Sequence, residues 1–443
     1  MEILSLVWQI LENWWWLIVP AVLWFPAKTF YLWWMRWELW YPSFKWILLE
    51  IRPPKENLKP FSAMENIYSS LWGIIDSPNW RERWCEGELP LGGGLWFSSE
   101  IASFGGEIHF YMRIPSFFRA TAESAIYAQY PDAEISLAED YTKKVPQNIP
   151  NKDWDLYGED FSLIRDDPYP IKTYSMFFER EVEERRLMEE KRMDPLDSLL
   201  EKLSMLKSGE QIWLQIVTNP IKDQYIPWIT RGRKLADKLA KRPEKPKPKS
   251  MIREAAEILI AGPGEEEEPP EKSEVPLEFR LTPGEKEILA AVENKIKKYG
   301  YQTWIRVLHL YNVKEPYTPG FYKAIRAYFN QFMTGHLNGF IFYGPTRCRI
   351  HYWLPKRRLY LRKRIQFRRA LDRLPPLWPR TMLGTPFCSF GHIQGREPGI
   401  RGTVVLNIEE LATIFHLPAK IVPPGVPYVE AKKAAPPPGL AME

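Results

Sequence analysis

Apolar positions along this chain recur with two different periods. Over Phe61–Ile75, Met64, Ile67, Leu71 and Ile74 fall three or four residues apart, the stripe of an amphipathic helix. Ser62 followed by Glu65 predicts a capping box at its start. Glu107–Ile114 instead alternates apolar and polar residues, and with Leu95–Phe104 across Gly105-Gly106 it predicts a hairpin. Lys45–Arg52 is a β-favouring run stopped by Pro53-Pro54. Ser116–Tyr130 reads as a second helix closed by Pro131, and Ala133–Ala138 as a short strand. The order β-α-β-β-α-β predicts a ferredoxin-like (split βαβ) domain over residues 45–150.

Residues 151–422 predict a second α+β domain. Strands are expected at Leu156–Arg165, Ile171–Phe178, Glu210–Val217 and Tyr301–Tyr311. Helices are expected at Asp194–Lys207, Thr282–Lys298 and Phe321–Phe332. Pro195 and Pro283 suit first helical turns, and Thr282 with Glu285 forms a capping box. A second ferredoxin-like unit is one reading of this order, although no residue-level repeat supports it. Glu179–Met193, dense in Glu and Arg, reads as a solvated connection or a partly helical one. An insertion at about 231–277 runs from basic and Pro-broken (Arg231–Arg253) to acidic (Gly264–Glu274), a composition that cannot bury a core and reads as mobile. Asn407 is placed to cap a short helix carrying Leu411, Ile414 and Phe415, with His416 read as structural. The Pro/Ala-rich tail, 423–443, reads as extended.

The N-terminus breaks both periods. Trp14–Pro26 carries no charge, and ten of the twenty tryptophans lie within the first 46 residues. Extended back through Ile3–Ile10, the run reaches the ~20 residues a bilayer requires. Trp14, Trp15, Trp16 and Trp24 read as an interfacial belt. The expectation is an N-terminal transmembrane helix within a 1–44 anchor, favoured over a cleaved leader because no small-residue cleavage site precedes Pro26. Lys28, Arg36 and Lys45 follow the run and no Lys or Arg precedes it, so the positive-inside rule predicts a single-pass cell-membrane protein with its C-terminal bulk in the cytoplasm. Residues 29–44 fit either an interfacial piece or a re-entrant hairpin.

Charge and chemistry narrow the function. A formal net charge of +5 does not by itself imply nucleic acid. The three cysteines include no CxxC pair and read as inert thiols in a reducing compartment. The six histidines show no metal-ligand spacing. No Walker A sequence and no dinucleotide-binding glycine fingerprint occur, so neither a P-loop nor a Rossmann site is expected. Asp132, Glu134, Glu139 and Asp140 offer oxygen ligands for a hard cation, but such clusters are more often solvated strand edges. We therefore expect no enzyme, no cofactor and no metal. The main signal outside the N-terminus is Lys356–Arg373, with nine basic residues, one acid and interleaved apolar side chains. Arg357, Arg358, Arg362, Lys363, Arg364, Arg368 and Arg369 suit nucleic-acid phosphates, an anionic lipid leaflet at ~1 kcal/mol per basic residue, or an acidic partner. The membrane context ranks lipid or partner ahead of nucleic acid.

Four segments carry a resemblance: Trp46–Lys55, Ala63–Glu65, Tyr130–Ile135 and Leu411–Pro418. They resemble an uncharacterised family of membrane-anchored bacterial proteins that look like companions of conjugation-type (type IV secretion) ATPases. The last segment is also similar to one just ahead of the motor domain in some of those ATPases. The likeness spans Trp46–Pro418 apart from the charged insertion and brings no catalytic residue. It implies a non-catalytic platform at the cytoplasmic face of the membrane that docks a P-loop ATPase. A membrane-associated nucleic-acid-binding factor using residues 356–373 is the alternative. The sequence leaves oligomeric state open.

Overall fold

The computed structural model describes residues 44–57, 59–74, 96–177, 194–224, 227–242, 281–351, 354–374, 402–418, 420–421 and 425–428, with isolated helical positions between 12 and 31. The architecture is mixed α and β around a nine-stranded antiparallel sheet.

The first half contributes β1 (Trp46–Arg52), α1 (Ser62–Trp72), β3 (Phe97–Phe104), β4 (Glu107–Pro115), α2 (Arg119–Gln129) and β5 (Glu134–Ala138). Their order in the sheet is β5-β1-β4-β3. The β3–β4 hairpin turns through Gly105 and Gly106, whose φ values of +57° and +99° suit glycine and the primed turns that match strand twist. The second half contributes β6 (Trp154–Leu163), α3 (Pro195–Ser204), β7 (Glu210–Pro220), β8 (Gly300–Asn312), α6 (Tyr322–Asn330) and β9 (Phe340–Phe342), with a helical pair, α4 (Trp228–Leu239) and α5 (Pro283–Ile296), between β7 and β8. Its strands lie in the order β7-β8-β6-β9. In each half the fourth, first, third and second strands are neighbours in that sequence. The two second strands, β3 and β7, then pair from Phe97↔Thr218 to Phe104↔Gln211 and fuse both halves into one sheet. A short β10 (Val404–Asn407) joins β8 beyond the end of β6. β2 (Glu56–Asn57) and β11 (Lys420–Ile421) form a separate two-stranded ribbon.

Alternation along the strands feeds two cores. Ile101, Ile108, Phe110, Leu214, Ile216 and Ile305 face one side and pack under α1, α2, α3, α6 and α8 (Ile408–Ile414). Ala102, Tyr111, Trp213, Leu308 and Leu310 face the other side, covered by residues 141–149 and by α7 (Pro355–Leu371) through Phe367 and Ala370. The central strands are buried on both faces: β8 is buried from Gly300 to Leu310, its polar Gln302, Thr303, Arg306 and His309 included.

The structure departs from the expectations at several points. Of the strand expected at Ile171–Phe178, the described residues, 171–177, form no ladder. Lys172 N donates to the Phe332 carbonyl, Ile171 N to Glu410 and Tyr174 N to Thr413, so these backbone donors serve loop and side-chain acceptors. Ser62 does not cap α1: Phe61 holds the N-cap position without a side-chain bond, and Glu65 instead engages Lys298 and Tyr174. The stretch 231–239, expected to be mobile, belongs to α4. Its Trp228, Gly232 and Ala236 are buried, and a Cβ at Gly232 would meet Ile296 of α5 at 2.3 Å. The Thr282/Glu285 and Asn407/Glu410 capping boxes both form.

The expected transmembrane helix is not supported: among the described residues no helix is long and apolar enough to cross a membrane. Much of 1–43, including Ile3–Ile10, lies outside the described residues, as do 179–193, the acidic stretch 264–274 and most of 423–443.

Candidate functional site

The basic segment folds as α7, started by Pro355 after Leu354 in the left-handed region at φ +51°. The helix separates its cations by role. Lys363 turns toward the sheet, and its ammonium lies 2.7 Å from both Asp155 oxygens. Arg362 donates to the Arg347 carbonyl at 2.8 Å. Arg364 donates to the Tyr360 hydroxyl, one turn back, at 3.2 Å. Arg357, Arg358 and Arg368 are exposed, and Arg369 is half-buried. Burial, with the nearby charge of Arg306, brings the Arg369 guanidinium down to about 10. Tyr360, Leu361 and Ile365 are exposed beside these cations. The seven residues thus do not form one contact surface. Lys363 fastens the helix, while Arg358, Arg362 and Arg369 line a groove against residues 345–350.

Beneath the C-terminal end of α7 lies a buried ion network. Arg373, at φ +56° just past the helix, donates to the two Glu100 oxygens at 3.0 and 3.1 Å and to Asp140 at 2.8 and 3.0 Å. Ser98 and Tyr141 also donate to Glu100. Gln215 donates to the Tyr141 hydroxyl and to the Ala370 carbonyl, both at 3.1 Å. Burial would raise the Asp140 carboxyl, but the Arg373 guanidinium holds it below the usual range. Both carboxylates are committed to the guanidinium, so the cluster clamps three chain segments together. A cation beyond the last turn of a helix also meets the partial negative charge of its free carbonyls.

A second buried pair is adjacent. Arg306 of β8 donates through Nε to Asp160 of β6 at 2.8 Å, and both residues are essentially inaccessible. The Gln366 amide donates to the Gly158 carbonyl at 3.1 Å and accepts from the Glu159 N–H at 3.2 Å, fixing α7 over β6. Cys348 is buried nearby, and burial pushes its thiol up to about 12, which leaves it an inert thiol at neutral pH. Cys85 and Cys388 lie outside the described residues.

The other sequence-derived sites resolve differently. Of the acidic cluster, Asp140 joins the Arg373 network and Glu134 lies 3.8 Å from Arg52. No group of three metal-ligating side chains occurs among the described residues. His416 is buried with Nδ1 2.9 Å from the Ala412 carbonyl and Nε2 2.8 Å from Asp194. Trp14, Trp15, Trp16 and Trp24 are helical and 53–60 % exposed. The network residues Glu100, Asp160 and Arg306 escaped sequence reasoning. The available signal was a charge inside a predicted strand, where burial is tolerated only with a partner.

The fold and these clusters define a mixed α and β protein built on a nine-stranded antiparallel sheet and braced by buried ion pairs. Residues 41–369 match the Domain of unknown function family DUF8128, and the chain belongs to that family. No curated protein and no solved structure matches the chain.

Proposed function

We propose that this chain is a membrane-anchored, non-catalytic platform that docks a type IV secretion or conjugation-like ATPase at the cytoplasmic face. The observation that carries the reading is the exposure of Trp14, Trp15, Trp16 and Trp24 on helical backbone in the segment that precedes β1 in sequence. Large aromatic side chains exposed together are characteristic of a membrane interface or of a partner surface. The sheet, fused through β3 and β7, supplies a broad rigid body, and the carboxylates of the Arg373 network are bonded to its guanidinium. The resemblance to companions of secretion ATPases supplies the partner class.

The test is fractionation of cells expressing the full chain and a variant lacking residues 1–44, followed by affinity recovery from detergent-solubilised membranes. The full chain is expected in the membrane fraction with a P-loop ATPase attached, and the truncated chain in the soluble fraction. A full-length chain that stays soluble, or one that recovers no ATPase from membranes, refutes the reading.

The alternative, a membrane-associated nucleic-acid-binding factor, draws on the exposed Arg357, Arg358 and Arg368 beside Tyr360. Replacing the three arginines with Gln would lower the slope of DNA affinity against salt by roughly 0.9 per lost phosphate contact. An unchanged slope removes this reading.

A further inference from the structure

The groove between α7 and residues 345–350 has a volume of about 330 Å³. Ile350, Leu361 and Ile365 give it apolar walls, and Arg358, Arg362 and Arg369 give it cations. Leu361 and Ile365 are 47 % and 48 % exposed, so the apolar wall faces outward. Arg306 stands behind the inner wall. The Gln366 amide, which lines the groove, lies 3.3 Å from Asp160, the carboxylate that Arg306 holds. Arg306 is also close enough to Arg369 for its charge to act on that residue.

Arg306 is incompletely satisfied. It is 1 % exposed and bonds Asp160 through Nε alone, and its Nη1 and Nη2 are buried without a hydrogen-bond partner. A buried guanidinium with two idle amino groups is costly, because each donor has lost water and gained nothing. The cost falls if an anion approaches from the groove, where a planar guanidinium and a second arginine suit phosphate oxygens. The apolar walls select an anion carried on a hydrocarbon body.

We infer that this groove binds an anionic amphiphile, a phosphate monoester of an apolar alcohol, with its head toward Arg369 and Arg306 and its chain along Leu361, Ile365 and Ile350. The same chemistry is offered by a soluble alkyl phosphate and by the head of a phosphatidic acid in a bilayer. The site does not depend on the N-terminal segment or on an ATPase, so its failure and that of the docking reading are separable.

Purified full-length protein would be titrated with butyl phosphate by calorimetry. It would also be floated with phosphatidylcholine vesicles with and without phosphatidic acid. Arg369→Gln is expected to weaken binding by about tenfold, the size of one lost charge-assisted contact, and Ile365→Glu, which sets a repelling carboxylate on the apolar wall, by about as much. Arg357→Gln, outside the groove, is expected to bind as the parent does. Saturable binding of butyl phosphate without vesicle capture identifies a soluble ester. Phosphatidic-acid-dependent capture that Ile365→Glu weakens identifies the bilayer. The inference is overturned if neither probe binds, or if Ile365→Glu leaves binding intact.

Discussion

Arg373 and Glu100 stand 273 positions apart in the chain, yet two hydrogen bonds at 3.0 and 3.1 Å join them in the interior, both fully buried. The contact ties the end of the basic helix to the strand where the two halves of the sheet meet. Arg373→Met leaves Glu100 buried without its main cation, and such a break costs about 3–5 kcal/mol. Arg373→Met combined with Glu100→Met should recover a substantial part of that loss. Denaturant midpoints of the parent, single and double variants check this, and a double variant no more stable than the single would contradict it.

The His416–Asp194 pair makes stability depend on pH. Burial alone would depress the imidazole, but the Asp194 charge and hydrogen bond raise it above the usual histidine value. Both ring nitrogens face acceptors, so the protonated ring satisfies both. Its stabilising contribution is therefore complete below the unfolded value of about 6.5 and declines as pH rises through the higher folded value. The stability difference between the parent and His416→Gln, measured across that range, should shrink toward alkaline pH. A difference that grows there would reverse the assignment.

Gly300 opens β8 where the indole of Trp228 covers it. A Cβ at this position would lie 2.6 Å from two indole carbons, and Trp228 is itself buried. Gly300→Ala should destabilise the protein by about 1–3 kcal/mol through overpacking. Adding Trp228→Leu should reduce the penalty of the alanine, and a thermodynamic cycle over the four proteins measures that coupling. Strictly additive effects would argue against the clash.

Asn407 accepts from Glu410 N at 2.8 Å while Glu410 accepts from Asn407 N at 2.9 Å. The same glutamate pairs with buried Lys295 at 3.0 Å and accepts from Ile171 N at 2.9 Å. Asn407→Ala should cost about 1–2 kcal/mol, and Asn407→Ser, which keeps a capping oxygen, clearly less. Thermal unfolding of the two variants distinguishes cap loss from general disruption. Equal losses would show that the cap is not the cause.

Much of the first half was legible because its strands and helices carry clean periods. The run ending at Pro53-Pro54, the Gly105-Gly106 turn and the spacing of Met64, Ile67 and Leu71 each correspond to an observed element. Local signals worked where the physics is local, as at Thr282 and Asn407, whose caps involve only residues three positions away. They failed where long-range partners decide. Ile171–Phe178 has strand-like composition, but its donors are taken by Phe332, Glu410 and Thr413. Helix α4 was hidden by its basic outer face, since few of its residues, Trp228, Gly232 and Ala236 with Ile229 beside them, turn inward. The cationic run of α7 was visible as composition. Its division into a lysine that fastens the helix and arginines that line a groove was not, because that depends on Asp155 and on residues 345–350.

The pairing of β3 with β7 also constrains how the polypeptide matures. Thr218 donates to the Phe97 carbonyl across 121 positions of sequence. During synthesis, the amino-terminal half emerges from the ribosome with the outer edge of Phe97–Phe104 still waiting for its neighbour. An unpaired edge of that kind recruits other strands, so this segment is where a nascent chain is most exposed to misassembly, and a chaperone would have reason to hold it until Glu210–Pro220 arrives.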